Sequence, residues 1–160
     1  GRQSIATRAF HLGGRAEVTA LEESAFRLRL AEDLMARARR AETDDPATAV
    51  LLARGAIENA AKAALGCFAT VGRSHEPAEL LQAALGETDF PNSLRAEAAA
   101  LLPRLAAYGA QKHAQTSYGD EAKHLLPSEL IDRTQATSAL EVAKSTLDLV
   151  RRLRLDVFGG

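Results

Sequence analysis

Apolar residues return every three to four positions along most of this chain, which is the spacing of an amphipathic helix. The first such segment carries two adjacent apolar stripes, one of Leu21, Ala25, Leu28, Ala31 and Met35 and the other of Phe26, Leu30 and Leu34. An apolar face this wide is typical of a helix with neighbours on two sides. The stretch Thr19 to Glu22 is typical of a capping box, so the helix is predicted to begin at Thr19.

The middle of the chain predicts two more helices. Asp45 is a favourable N-cap and Pro46 a favourable first residue, and the apolar period then continues to about Ala69. After the polar connection "TVGRSHEP" the pattern predicts a short helix from Pro77 to about Leu85. Both segments are rich in alanine and leucine, which favour helix and allow helices to approach closely.

Two long helices are predicted in the C-terminal half. Ser93 is expected to cap the first of them, and Pro103 inside it should kink or interrupt it. The polar segment "TSYGDEAKHLLP" then predicts a loop. Pro127 and Ser128 are expected to start the last helix, which should run to about Val157.

The predicted fold is therefore all-α: an up-and-down bundle of four main helices plus one short helix. Its 160 residues, 46% of them hydrophobic, fit a single domain with its own core. We expect the bundle to occupy residues 19–158. Residues 1–18 carry a Gly-Gly pair and no helical period, so they predict an irregular N-terminal arm or a short strand.

Composition narrows the function only a little. The net charge of -1 argues against a protein dominated by attraction to phosphate backbones. Cys67 is the single cysteine, which excludes an intrachain disulfide, and we expect it to be a buried small hydrophobe. No apolar run has the length of a signal or spanning segment, so the expectation is a cytoplasmic protein without membrane contact. The histidines lack metal-ligand spacing, so neither a metal nor a cofactor is expected.

One short stretch gathers most of the candidate chemistry, "AYGAQKHAQTSYGDE" at residues 107–121. His113 could act as a general acid or base, and Lys112 could stabilise charge on a phosphate. Tyr118, Asp120 and Glu121 follow at the end of the same stretch. The alternative interpretation is a polar helix end, in which Tyr118 packs its ring and His113 is exposed.

A second set of polar residues lies in the middle of the chain. Arg54, Glu58 and Lys62 are spaced four apart, which places them in one row on a helix. The row is either a solvated or interface set of ion pairs, or a polar face of the groove that also holds His113. Ser74 and His75 follow in the next connection. In one interpretation Ser74 caps the short helix and His75 packs against it, and in the other the pair contacts a nucleotide.

Three of these segments in this order resemble the HEPN domain, a helical bundle of bacterial and archaeal nucleotide-associated proteins. They are "ARGAIENAAKAAL" with the step Glu58 to Lys62, "GRSHEPAELL" with Ser74 and His75, and "SYGDE" with Tyr118 beside Asp120 and Glu121. The resemblance covers about residues 31–157. It implies a bundle that often forms a homodimer and that often pairs with a nucleotidyltransferase-type protein in toxin–antitoxin systems.

Catalytically active HEPN domains are metal-independent ribonucleases in which four to six residues separate an arginine from a following histidine. No arginine of this chain stands at that distance before a histidine, and Lys112-His113 occupies the place of the motif. The resemblance therefore favours a non-catalytic module that binds a nucleotide, RNA or a nucleotidyltransferase-type partner.

Two alternatives remain open. One is a toxin-like ribonuclease with an altered motif, in which Lys112, His113 and Tyr118 would be the catalytic candidates. The other is a purely structural oligomerisation domain. In the favoured interpretation the ligand-binding candidates are Glu58, Lys62, His75, Lys112, His113, Tyr118, Asp120 and Glu121.

Overall fold

The computed structural model describes residues 9–10 and 18–159 of the chain. Two short strands, β1 (Ala9–Phe10) and β2 (Val18–Thr19), pair antiparallel with Ala9 opposite Thr19. The strand pair ends directly at the first helix. Most of the predicted N-terminal arm, residues 1–8 and 11–17, lies outside the part that the structure describes.

All the other regular elements in the described part of the chain are helices, joined by turns and loops, and the predicted all-α bundle is confirmed. Its four long helices are α1 (Ala20–Ala41), α2 (Pro46–Gly66), α4 (Asn92–Leu105) and α7 (Arg133–Phe158). Its shorter helices are α3 (Pro77–Leu85), α5 (Ala110–Tyr118) and α6 (Pro127–Leu130), with a 3₁₀ turn at Ala106–Tyr108. The structure thus adds α5 and α6 to the one short helix that the sequence predicted.

The first two helix starts follow the predicted side-chain caps. The Thr19 hydroxyl accepts a hydrogen bond of 3.1 Å from the backbone N–H of Glu22. The Asp45 carboxylate likewise accepts from the N–H of Thr48 at 3.2 Å, and Pro46 is the first residue of α2. These contacts satisfy N–H groups that have no partner inside the helix.

Three predicted helix boundaries are wrong. Helix α2 ends at Gly66 rather than near Ala69, and α4 begins at Asn92 without a side-chain cap, so Ser93 is not its N-cap. Pro127 starts only the four-residue α6. The long helix begins after Asp132, whose carboxylate accepts from the N–H of Gln135 while the Gln135 amide accepts from the N–H of Asp132. This reciprocal cap is a stronger start signal than the proline.

Pro103 lies within α4 without ending it, and the helix continues for two more residues before the 3₁₀ turn. The helix therefore does not break at Pro103 itself, and its α-helical geometry ends only after Leu105. The change to 3₁₀ geometry lets the chain turn toward Gly109 and the start of α5.

Helix α2 is the centre of the bundle. Its alanines at positions 49, 53, 56, 60, 61, 63 and 64 have no exposed surface, and it packs against α1, α3, α5 and α7. Small side chains on all sides allow this close approach. Any charged residue on α2 is consequently drawn into the interior and needs a partner there. None of the helices in the described part of the chain is long and apolar enough to cross a membrane.

Candidate functional site

A cluster of ion pairs, called the clasp here, consists of the buried Arg54, Glu58 and Lys62 on α2 and the exposed His75 from the connection before α3. The guanidinium of Arg54 lies 3.0 Å from Glu58 Oε1, and the ammonium of Lys62 lies 3.2 Å from Glu58 Oε2. Arg54, Glu58 and Lys62 are each less than a tenth exposed. The interpretation of this row as solvated ion pairs is therefore wrong, because α2 is surrounded by other helices.

Arg54 connects α2 to two segments that are distant in sequence. Its Nε donates to the carbonyl of Gly109 at 3.1 Å, and its Nη2 donates to the carbonyl of His75 at 3.1 Å. The first acceptor immediately precedes α5, and the second lies in the connection before α3. One guanidinium therefore holds two segments against α2, namely the start of α5 and the connection before α3.

Glu76 reinforces the same junction from the other side. Its carboxylate Oε1 accepts a hydrogen bond of 2.9 Å from the N–H of Ala110, the first residue of α5. A Cβ atom at Gly109 would lie 1.8 Å from Glu76 Oε2, so any larger residue there would displace this carboxylate from its present position. An anionic group at a helix N-terminus is stabilised by the unpaired N–H groups there.

The electrostatics of Glu58 favour its charged form. Burial alone would raise the pKa of this carboxyl group, but the hydrogen bond and charge of Lys62, the hydrogen bond of His75 and the charge of Arg54 together lower it below its ordinary value. His75 Nδ1 lies 3.3 Å from Glu58 Oε1, although 67% of the His75 side chain is exposed. Glu58 is thus held as a paired anion in the folded protein.

Ser74 does not cap α3 as predicted. The N-cap of α3 is Glu76, which makes no side-chain cap. The Ser74 hydroxyl instead accepts from the N–H of Glu76 at 3.2 Å, two residues on. This local turn directs His75 away from α3 and toward the clasp.

The candidate residues of the 107–121 stretch are divided between faces of α5. At 100° per residue, Tyr118 is turned about 140° from His113 and about 120° from Lys112. Thr116 is the buried residue of this helix, and its hydroxyl donates to the carbonyls of Lys112 and His113. Lys112, His113 and Tyr118 therefore do not converge on one point within a single chain.

Tyr118 instead lines an open depression of about 440 Å³ between α5, the following turn and α6. We call it the Tyr118 depression. Its polar lining consists of the amides of Gln111 and Gln115 and the carboxylate-bearing residues Asp120 and Glu121, with Leu130 supplying an apolar wall. The Tyr118 side chain is prominent, since the residue is 68% exposed.

The turn after α5 holds this depression in shape. The backbones of Asp120 and Leu125 exchange two hydrogen bonds, of 2.9 and 3.0 Å, and the Asp120 carboxylate accepts from the N–H of Lys123 at 3.0 Å. Gly119 has φ +74°, and a Cβ there would lie 2.0 Å from the carbonyl oxygen of Leu125. Glycine is therefore required directly after Tyr118, and the turn keeps that ring at the edge of the depression.

Six of the eight predicted site residues form two groups, whereas the half-buried Lys112 and the exposed His113 belong to neither. Glu58, Lys62 and His75 belong to the clasp, whereas Tyr118, Asp120 and Glu121 belong to the Tyr118 depression. Sequence reasoning missed the roles of Gly109 and Glu76, for which the only local signal was a glycine before a helix. Among the residues that the structure describes, no three His, Cys, Asp or Glu side chains come together to hold a metal ion.

Comparison with known proteins adds a fold neighbour. The crystal structure of TT1696 from Thermus thermophilus has a TM-score of 0.64 to this chain, at 24% sequence identity over 81% of this chain and 97% of that one. At this identity the likeness concerns the fold alone. No protein-family model matches the chain, and no curated protein matches it significantly.

Proposed function

We propose that this chain is a non-catalytic, HEPN-like binding module whose ligand is a nucleotide, either free or as an unpaired nucleotide of RNA. The observation that carries the proposal is the Tyr118 depression, where an exposed aromatic ring stands among side-chain amides and carboxylates. The cytoplasmic location predicted from the sequence is part of the same proposal.

The lining of the depression suits a nucleobase better than a phosphate. A base can stack on the Tyr118 ring, and such stacking contributes about 1–3 kcal/mol per base. The amides of Gln111 and Gln115 can both donate to and accept from the edge of a base. Asp120 and Glu121 can accept from exocyclic amino groups or ribose hydroxyls, but they would repel a phosphate.

The start of α5 is not a suitable place for the phosphate of such a nucleotide. The Glu76 carboxylate already accepts from the N–H of Ala110 there and would repel a phosphate. Lys112 lies about 120° around the helix from Tyr118. We therefore assign recognition to the base and the ribose, and expect the phosphate to extend into solvent.

Two observations favour binding over catalysis. Glu58 is buried and is held as a paired anion by Lys62 and Arg54, which disfavours proton transfer at this carboxylate. His113 and Tyr118 lie on different faces of α5, so the altered ribonuclease would need them to act from separate positions. General acid–base catalysis requires both groups within hydrogen-bond reach of one reacting centre.

A second candidate ligand is a cationic side chain of a partner protein, including the nucleotidyltransferase type that the HEPN resemblance implies. The observation that favours it is the pair of carboxylate-bearing residues, Asp120 and Glu121, beside an aromatic ring. A lysine or arginine can contact the ring face and pair with a carboxylate. The experiment must therefore separate a base from a cation.

Tyrosine fluorescence provides that test, since the chain has no tryptophan and two tyrosines. Tyr108 is buried and Tyr118 is exposed, so a stacked base should quench the emission of Tyr118. We would titrate the four nucleoside monophosphates, short single-stranded RNA and, as the cationic arm, arginine amide. Tyr118→Ala should weaken nucleotide binding at least tenfold, whereas Tyr118→Phe should keep the stacking and most of the affinity when measured by calorimetry.

A saturating response to arginine amide but not to any nucleotide would favour the protein partner. Cleavage of the RNA that is lost in His113→Ala would replace the proposal with the ribonuclease alternative. Absence of binding in both arms would leave the structural oligomerisation domain as the remaining interpretation.

A further inference from the structure

A long groove runs along the side of the bundle opposite to most of the core, between the antiparallel helices α1 and α7. Both helices pack on α2, but they contact each other less extensively. Three depressions follow one another in this groove, of about 330, 270 and 330 Å³. Every residue that lines them belongs to α1, to its C-cap Glu42 or to α7.

The groove has a buried apolar floor and charged rims. Met35, Leu140 and Leu147 form the floor and are each less than a tenth exposed. The α7 rim carries alternating charges at spacings of three and four residues, namely Glu141, Lys144, Asp148 and Arg151. The α1 rim carries Glu32 and Arg39 on either side of Met35.

The order of these charges is antisymmetric along each helix. On α7, Glu141 and Arg151 are equally distant from position 146 and opposite in sign, and so are Lys144 and Asp148. On α1, Glu32 and Arg39 are related in the same way about the midpoint between residues 35 and 36. Reversing either helix end to end therefore places each of these rim charges opposite one of the other sign. Arg154, which also lines the groove, would face the uncharged Ser138.

The two midpoints also lie at the same level of the groove. Across it, Arg151 Nε lies 3.7 Å from Glu32 Oε1, and the Thr137 hydroxyl donates to Glu42 Oε1 at 3.0 Å. Because the helices are antiparallel, these contacts set the 35/36 midpoint of α1 opposite about residues 144 to 147 of α7. One two-fold axis perpendicular to both helices can thus satisfy both rims together.

We propose that the α1–α7 groove is an interface with a second copy of this chain. In this homodimer α7 lies antiparallel to α7 of the second copy, and the C-terminal half of α1 lies antiparallel to its counterpart. Glu141 then pairs with Arg151 of the second copy, Lys144 with its Asp148, and Glu32 with its Arg39. Each pair occurs twice, as an isologous interface requires.

The expected dimer is weak and sensitive to salt. The 26 residues of α7 span about 39 Å at 1.5 Å per residue. With half of α1, the contact strip covers roughly 600 Å² per copy, at the low end for specific complexes. Four of the rim side chains, those of Glu32, Lys144, Asp148 and Arg151, are about half exposed and already form ion pairs within the chain. The rim charges are therefore expected to add complementarity more than affinity.

Charge reversal provides the test, using the full chain and sedimentation equilibrium from micromolar to submillimolar protein at low salt. Glu141→Arg and Arg151→Glu should each raise the dissociation constant at least tenfold, because each creates two like-charge contacts. The double variant Glu141→Arg/Arg151→Glu should return to within about threefold of the wild type. Its Arg151 change still breaks the contact with Glu32 inside the chain, so repair of the monomer cannot explain recovery.

Arg104→Glu is the matched control, since it makes the same charge change on the exposed surface of α4. It should leave the dissociation constant unchanged. A wild type that stays monomeric over the whole concentration range would overturn the proposal. So would a double variant as weak as the single ones, or a control that weakens association equally.

Discussion

The clasp and the Tyr118 depression are both rich in charged groups, yet they differ in burial and in pairing. The clasp carries three charged side chains that are less than a tenth exposed, and each contacts another member of the set. The Tyr118 depression is open, and its aromatic residue is 68% exposed. A buried charge must find its partner inside the fold, whereas an exposed group is free to meet a ligand.

The difference also separates two functions of one helix. The N-terminal end of α5 is fixed to α2 by Arg54 and to the connection before α3 by Glu76. Its C-terminal end carries Tyr118 into the open turn. The clasp therefore positions the helix that presents the candidate ligand site, and it contributes to binding through stability rather than through contact.

The largest expected effect comes from breaking the clasp. Glu58→Ala leaves the buried cations Arg54 and Lys62 without their shared carboxylate, which should cost about 3 kcal/mol of unfolding free energy. Urea denaturation followed by circular dichroism measures this loss. The control is Glu97→Ala, which removes the partner of Arg152 in an exposed ion pair between α4 and α7 and should cost less than about 1 kcal/mol. Equal losses in the two variants would contradict the distinction between buried and exposed pairs.

The turn below the depression should be the next most sensitive position. Gly119→Ala places a Cβ 2.0 Å from a backbone oxygen at φ +74°, so we expect a loss of about 2 kcal/mol together with weaker nucleotide binding. Gly72→Ala is the matched control, because no atom lies within 4 Å of its added Cβ. Thermal unfolding should separate the two, and an unchanged melting temperature in Gly119→Ala would show that the turn does not hold the depression.

Lowering the pH should remove the contribution of the clasp to the stability of the fold. The folded pKa of Glu58 is below its ordinary value, so the carboxylate stabilises the fold fully above that ordinary value. This contribution is lost as the pH falls through the lower folded pKa. Unfolding free energies measured from pH 7 to pH 3 should therefore decline more steeply for the wild type than for Glu58→Gln. Parallel curves would indicate that Glu58 titrates alike in both states.

The sequence predicted best what depends on neighbours along the chain. The caps at Thr19 and Asp45 and the bounds of α3 follow from residues within one helical turn of each other. The cap at Asp132 was equally local, but the nearby Pro127 offered a competing start signal, and the structure uses both. Start signals a few residues apart are distinguished by the packing of the long helix, which the local pattern does not contain.

The site was predictable only in part for the same reason. Glu58 and Lys62 could be grouped from their spacing, and His75 could be added from its place in the next connection. The burial of Glu58 and Lys62 could not be predicted, because it depends on distant segments such as Gly109, whose carbonyl Arg54 contacts across 55 residues of sequence. The function predicted for Lys112 and His113 beside Tyr118 likewise depended on where α5 begins and which face it turns inward.

The smallest expected effect completes the comparison, through one substitution made at both tyrosines. Tyr118→Ala should change the unfolding free energy by less than about 0.5 kcal/mol, because the ring is largely in solvent already. Tyr108→Ala should cost about 3 kcal/mol, since that ring is buried at the junction of α4 and α5. Chemical denaturation of the two variants, read beside the nucleotide titration, separates a binding residue from a structural one. A stability loss at Tyr118 as large as that at Tyr108 would mean that the fold itself requires this ring, and the Tyr118 depression would then no longer be a candidate ligand site.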